Sequence, residues 1–307
     1  MVCNERLQIS SRSLKRASHV GYSGNHIVAS RPATALLWSL SGVLLKAPPL
    51  AELPAANRGM ILAFYRAVFA SLFLVPFVHR RHVRFHWLLI PMSLLFALMN
   101  LLFVTVMTRT TAAAAIFLQY TSVVWASGFA WLFLKERIDR GGVVALACTV
   151  CGIGWIVVGD WQGANFTGNL IALASGLSYA GVIVFLRCLR NEDSGWLIAL
   201  NHVVSVAVLL PWVLGMPVDL RADQWLLIAL AGIVQMAIPY VLFARAIRHV
   251  RTYEAALIPL LEPILNPVWV WLFWREEVGR SVFVGGALIV GGLAARYLLF
   301  SKRSQPE

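Results

Sequence analysis

One carboxylate, Glu262, stands about nine residues into an apolar span of some twenty, the run LLEPILNPVWVWLFWREEV at 260–278. Asn266 follows one helical turn later, and prolines recur at 259, 263 and 267. At about 100° per residue these five positions share an arc of roughly 140° on a helix. Each proline removes a backbone N–H and frees a carbonyl one turn earlier, which hydrocarbon cannot satisfy but a protein interior or a wet cavity can. The face therefore turns inward. Burial favours the protonated form of Glu262, and a carboxyl of that kind can bind and release a coupling proton. The alternative role is a fixed hydrogen bond within the proline-distorted helix, without titration.

Two further ionisable residues fall inside apolar spans. Arg66 keeps its charge at any ordinary pH and needs a partner or water. It could attract a carboxylate or phosphate on a solute, or it could snorkel to the interface or pair with a fixed acid. His202 titrates near neutrality when unperturbed, so it could relay protons or hold a solute carboxylate, or serve as a hydrogen-bonded packing residue. No second histidine or carboxylate stands at ligand spacing beside it, so no metal site is expected. Trp38, Asn100, Gln119, Tyr120, Tyr179, Gln235 and Tyr240 complete the intramembrane polar and aromatic set. Such walls suit an amino acid or a flat organic molecule, although each residue alone could simply join helices.

The elements that position these side chains follow from composition. The chain has 307 residues, 59% hydrophobic and 13% charged, with a mean hydropathy of +0.74. That composition marks an integral membrane protein, all-α, in contact with the lipid bilayer. The formal charge of +12 does not point to nucleic acid, because the basic residues lie in short clusters between apolar spans. No ATP-binding motif is present, and no nucleophiles, acids or metal ligands cluster as an enzyme would need; no cofactor is expected. Cys3, Cys148, Cys151 and Cys188 read as free thiols, with Cys148 and Cys151 and the glycines at 152, 154, 285, 286, 291 and 292 serving close helix packing. Trp269, Trp271 and Trp274 read as interfacial anchors.

Apolar segments fall at about 33–47, 60–78, 86–107, 111–134, 142–159, 168–188, 196–214, 225–246, 253–274 and 281–300, giving ten spans. The first carries Trp38, Ser39 and Ser41 and closes quickly at Lys46, so a nine-span arrangement is the alternative. With the N-terminus inside, the inside segments hold 18 Lys and Arg against 6 outside, which places both termini in the cytoplasm. The first thirty residues have no apolar signal-peptide core and read either as a disordered cytoplasmic tail or as a misplaced translation start.

The chain also repeats at an offset of 140 residues. Trp131-Leu132-Phe133 returns as Trp271-Leu272-Phe273, Glu136 as Glu276, Arg140 as Arg280 and Gly152 as Gly292, while Asn100 falls opposite Tyr240. An offset of 141 places Trp38 opposite Tyr179. Five spans per half is odd, so the second half enters the membrane in the opposite sense, an inverted-topology repeat suited to alternating access.

These residues, together with AWLFLKERI at 130–138 and FYRAVFASL at 64–72, resemble the EamA family of the drug/metabolite transporter superfamily. The resemblance spans roughly residues 33 to 300 and implies ten helices in two five-helix repeats. It also implies export of a small metabolite or amino acid. One departure is that Ser122-Val123 stands where the second half has Glu262-Pro263. The expected organisation is a tail at 1–32, repeats at 33–159 and 168–300, an outside linker at 160–167 and a tail at 301–307. The expected function is a secondary transporter in a bacterial inner membrane, carrying a small organic solute by alternating access with protons as candidate co-substrate. A non-transporting scaffold and then a lipid-modifying enzyme rank behind it. The expected solute site comprises Trp38, Arg66, Asn100, Gln119, Tyr179, His202, Gln235, Tyr240, Glu262 and Asn266, with Glu262 and His202 as proton-coupling candidates.

Overall fold

The computed structural model describes residues 33–135, 140–159, 166–246 and 262–295, and among these no strand occurs. The helices are α1 (Ala33–Leu45), α2 (Arg58–Leu74), α3 (Leu89–Arg109), α4 (Ala112–Leu134), α5 (Arg140–Gly159), α6 (Phe166–Cys188), α7 (Ser194–Val213), α8 (Ala222–Ala246), α9 (Glu262–Trp274) and α10 (Arg280–Ala295). Seven of them, α2 to α8, are long and apolar enough to cross a membrane, while α1 and α10 are shorter apolar helices. The protein is an integral membrane protein. The expected start of the ninth span, including Pro259, lies outside the described residues.

The helices pack in a regular scheme. α5 lies along α10, α2 along α7, α6 against α3 and α4, and α1 against α8 and α9; α3 also meets α7, and α8 meets α2. Small residues permit the closest of these approaches. A Cβ on Gly152 of α5 would stand 2.4 Å from the Gly285 carbonyl of α10, and one on Gly285 would stand 2.5 Å from the Gly152 carbonyl. Gly292 leaves room for Cys148 in the same way, as the sequence suggested. Gly154 and Gly291 do not, because each faces open space with nothing within 4 Å. They lie on the outer sides of their helices, a distinction that glycine content alone could not make.

Three helices depart from regular geometry. α4 breaks at Tyr120 between Ala112–Gln119 and Thr121–Phe129, and ends in a π-helical turn over Ala130–Leu134. α8 contains a π-turn at Ile233–Ala237, and Pro267 lies inside α9. Beyond α4 and α9, Lys135 and Arg275 both adopt φ 54°, the only positive-φ residues other than glycine among those described. This left-handed backbone is costly for a residue with a Cβ, yet it recurs 140 residues apart after two exposed Trp-Leu-Phe triplets.

The cysteine reading needs one correction. Cys148 and Cys151 are free, but Cys188 is disulfide-bonded; Cys3 lies outside the described residues. Cys188 is not embedded in apolar sequence as supposed; it ends α6 between Arg187 and Arg190. The indoles of α9 also differ from expectation. Trp269 Nε1 donates to Ser39 Oγ at 3.1 Å and Trp274 Nε1 to the Val43 carbonyl at 3.0 Å, so both tie α9 to α1. Trp271 alone is exposed, under the Arg275 guanidinium.

Candidate functional site

The irregular helices converge on a central cavity. Its lining is Trp38 from α1, Arg66 from α2, Met99, Asn100 and Phe103 from α3, Gln119 from α4, Tyr179 from α6, Gln235 and Tyr240 from α8, and Glu262 from α9. Eight of the ten side chains singled out in the sequence thus meet at one place. The space left between these side chains is about 20 Å³, enough for roughly one water molecule.

Local backbone features aim the polar groups. Gln119 is the last residue before the break in α4, where α6 approaches so closely that a Cβ on Gly176 would stand 2.8 Å from the Gln119 carbonyl. Its Nε2 donates to Ser175 Oγ at 3.0 Å, which fixes the amide. Gln235 lies in the π-turn of α8, a kind of irregularity that often re-aims side chains at functional sites. That turn begins beside Gly232, where a Cβ would stand 2.5 Å from the Arg66 carbonyl. α2 and α8 therefore touch backbone to backbone at the arginine.

Arg66 is 2% exposed. Its Nε and Nη2 face Met236 Sδ at 3.1 and 3.0 Å, while Nη1 has no hydrogen-bond partner. Glu262 is buried in the same lining without an ion pair to Arg66. Asn100 Nδ2 donates to the Ala63 carbonyl at 2.9 Å, leaving Oδ1 unbonded, and Gln235 Oε1 and Tyr179 Oη are also unbonded. Aromatic rings close one side. Trp38 meets Tyr240 and Phe243 at 4.9 and 5.2 Å between centroids, and Tyr179 at 6.4 Å.

Two sequence candidates stand outside this lining. His202 is fully buried with neither ring nitrogen bonded, and packs edge-on against Phe96 at 5.0 Å and Tyr240 at 6.4 Å. Among the cavity-lining rings its edge-on contact is with Tyr240. Asn266 donates from Nδ2 to Ser41 Oγ at 2.7 Å and sits over Gly42, a helix-joining position between α9 and α1. Sequence reasoning passed over Met99 and Met236, because a search for polar and flat aromatic groups does not select thioethers, and over Phe103, because nothing in an apolar span sets one phenylalanine apart from its neighbours. Met236 adjoins Gln235 and Met99 adjoins Asn100, so adjacency to chosen residues was their only signal.

The two ends of the bundle differ. At one end Lys46 Nζ donates to the Thr110 carbonyl at 2.8 Å and forms an ion pair with Glu276, whose Oε1 accepts from Ala112 N–H at 2.7 Å. That carboxylate caps the start of α4 and ties it to the ends of α1 and α9. Nearby, Arg221 pairs with Glu52 and Asp223, and Gln224 Nε2 donates to the Pro49 carbonyl at 2.7 Å. At the other end a crevice of about 480 Å³ opens between α2, α7 and α8, edged by His79, His82, Asp193 and Arg245. A separate groove of about 370 Å³ between α4, α9 and α10 is lined by apolar and aromatic side chains, among them Phe117, Pro263 and Trp271.

Comparison with known proteins gives a consistent picture. The EamA-like transporter family matches the chain twice, over residues 33–158 and 166–297. An uncharacterized transporter of Archaeoglobus fulgidus is 26% identical over 255 residues, 83% of this chain and 92% of that protein. The uncharacterized transporter YwfM of Bacillus subtilis is 24% identical over 273 residues, 84% of this chain and 89% of that protein. A solved crystal structure superposes with a TM-score of 0.68 at 17% identity, covering 92% of this chain and all of the other. That likeness speaks to the fold.

Proposed function

Because the chain belongs to the EamA-like transporter family, we propose that it is a secondary transporter that exports a small organic solute, such as an amino acid, by alternating access with a proton as counter-substrate. The carrying observation is the small cavity where Arg66, Glu262, three amides and an aromatic wall meet. Glu262 is the proton site in this reading. His202, withdrawn behind Tyr240, has no direct contact with the solute.

The moving parts are two five-helix repeats, α1–α5 and α6–α10, of opposite orientation across a bacterial inner membrane, with both termini cytoplasmic. Several observations support this. Exchanging each helix for the one five places on leaves the packing scheme unchanged: α5 with α10 and α2 with α7 map onto themselves, and α3 with α6 maps onto α8 with α1. The left-handed residues Lys135 and Arg275 are 140 apart, and the family matches each half separately. At residue level, Gly152 against Gly285 exchanges with Gly292 against Ala145.

In this state the Lys46–Glu276 end is tied shut, and the crevice between α2, α7 and α8 marks the opposite approach. Rocking of one repeat against the other would release the tie and expose the same cavity to the other side. Purified protein in liposomes tests the reading through flux of amino acids and related metabolites with and without an imposed pH gradient. Gradient-driven flux in wild type that loses its gradient dependence in Glu262→Gln is the expected result. No flux of any solute tested would favour a non-transporting role.

A further inference from the structure

We infer that the solute carries a carboxylate and that Arg66 Nη1 is its seat, a specificity that rests on the transporter reading. Three other cations, Lys46, Arg58 and Arg221, show how this chain can satisfy a charge with oxygen acceptors. Lys46 has a carboxylate and a carbonyl, Arg58 donates to the carbonyls of Ala51 and Leu53, and Arg221 has two carboxylates. Arg66 is more deeply buried than any of these, yet it has only a thioether on Nε and Nη2 and nothing on Nη1. A guanidinium is permanently charged with five N–H donors, and leaving such a group desolvated is costly.

The guanidinium is nevertheless held in place. Gly232 brings the backbone of α8 against that of α2 at Arg66, and the π-turn that follows sets Met236 Sδ on one edge of the fork. The other edge is left for the cavity. Sulfur is a weak acceptor, so an oxyanion entering there would be a much stronger partner, forming charge-assisted bonds in a site with little competing water. Glu262 does not serve as this partner, although it lines the same cavity.

Charge balance narrows the class. With Glu262 protonated, one guanidinium is the charge of the lining, whose other unbonded polar atoms are Asn100 Oδ1, Gln235 Oε1 and the Tyr179 hydroxyl. A phosphate dianion would bring more charge than one arginine neutralises, whereas a monocarboxylate matches it. Once the cavity widens beyond its present room for about one water, the rings of Trp38, Tyr179 and Tyr240 would flank an apolar or aromatic body attached to that carboxylate. Both an amino acid and its deaminated acid carry the required group.

The test uses the full-length protein in detergent and in liposomes, with phenylalanine, 3-phenylpropanoate and phenethylamine as probes of one body with different charged ends. Wild type should bind and exchange one or both carboxylates at least tenfold better than the amine, and the two carboxylate arms distinguish a zwitterion from a simple acid. Arg66→Gln should abolish that preference, and Arg66→Lys should retain part of it, keeping charge without the fork. Without any ligand, Arg66→Gln should unfold at the same or a higher temperature than wild type, because it removes an unpaired buried charge. A lower unfolding temperature would make Arg66 a structural residue and overturn the inference. So would equal or better binding of the amine by wild type, or transport confined to solutes without a carboxylate; in that last case the transporter reading would survive.

Discussion

Substituting Gly152 by alanine sets two known effects against each other. Inside a helix, Gly→Ala favours folding by about 1 kcal/mol through propensity. At Gly152, however, the new Cβ would stand 2.4 Å from the Gly285 carbonyl oxygen and 2.7 Å from Ile289 Cγ1. These distances fall about 1 Å short of comfortable non-bonded contact near 3.5 Å. The nearer obstacle is backbone, so no rotamer change relieves it and α5 must move away from α10. Overpacking of this kind costs about 1–3 kcal/mol, and the shift also weakens dispersion along the most extensive helix pairing in the protein. The clash offsets or outweighs the propensity gain, leaving a net loss of about 0–2 kcal/mol against wild type and about 1–3 kcal/mol against an unobstructed Gly→Ala change, the latter a difference of several degrees in unfolding temperature. Gly154→Ala on α5 and Gly291→Ala on α10 meet nothing within 4 Å and should match or slightly exceed wild type. Gly181→Ala is an intermediate case, since its obstacle at 2.6 Å is the flexible end of Leu95. Thermal unfolding of the four variants in one detergent is the assay. If Gly152→Ala unfolds with the Gly154 and Gly291 variants, the close α5–α10 crossing is refuted.

Other substitutions separate gating, structure and coupling. Glu276→Ala removes the cap on α4 and the partner of Lys46; it should loosen that end, seen as faster maleimide labelling of a cysteine placed at Thr110, and unchanged labelling would argue against a closing role. Asn266→Ala loses the bond to Ser41 and should lower stability by about 1 kcal/mol while leaving the ranking of transported solutes unaltered. His202→Phe, at a site where neither ring nitrogen is bonded and two aromatic rings pack edge-on, should fold and keep its response to a pH gradient; loss of that response would return His202 to the proton path. Asp193→Ala removes the side-chain cap on Trp196 N–H at the start of α7 and should cost about 1 kcal/mol in unfolding experiments.

Much of the central site was legible because a membrane interior makes polar residues conspicuous. Arg66, Asn100, Gln119, Gln235 and Glu262 stand out against apolar neighbours, and the structure gathers them into one lining. The offset of 141 pairs Trp38 with Tyr179 as corresponding positions expected to line one cavity, and both are in its lining, their rings 6.4 Å apart. Asn266 shows the limit of the same logic. Its helical face pointed inward as expected, but inward on α9 includes the crossing with α1 as well as the cavity, and periodicity cannot divide one from the other. The Tyr120 break, the π-turn at 233–237 and the arrangement of Arg66 on Met236 were not legible. They arise from tertiary approach at Gly176 and Gly232, where one helix presses on another with no local sequence signal. The bond at Cys188 was missed because the four cysteines were judged as a group.

α4 and α9 depart from regular geometry by different means, and under the proposed repeat the difference bears on stoichiometry. α4 bends at Tyr120, where Gly176 of α6 presses on the Gln119 carbonyl. α9 carries Pro263 and Pro267 instead, and with them Glu262. At the position corresponding to Glu262, α4 has Ser122, buried and without an ionisable group. On the repeat reading proposed above, α4 and α9 are corresponding irregular helices, and of the two only α9 carries a carboxylate at this position. If Glu262 is the only proton carrier, each transport cycle moves at most one proton through the cavity. Flux measured against graded pH differences across liposomes should then balance at the gradient required by a ratio of one proton per solute. A ratio of two would require a second titrating group in the path, and with His202 held behind Tyr240 the lining offers no other carboxylate to supply it.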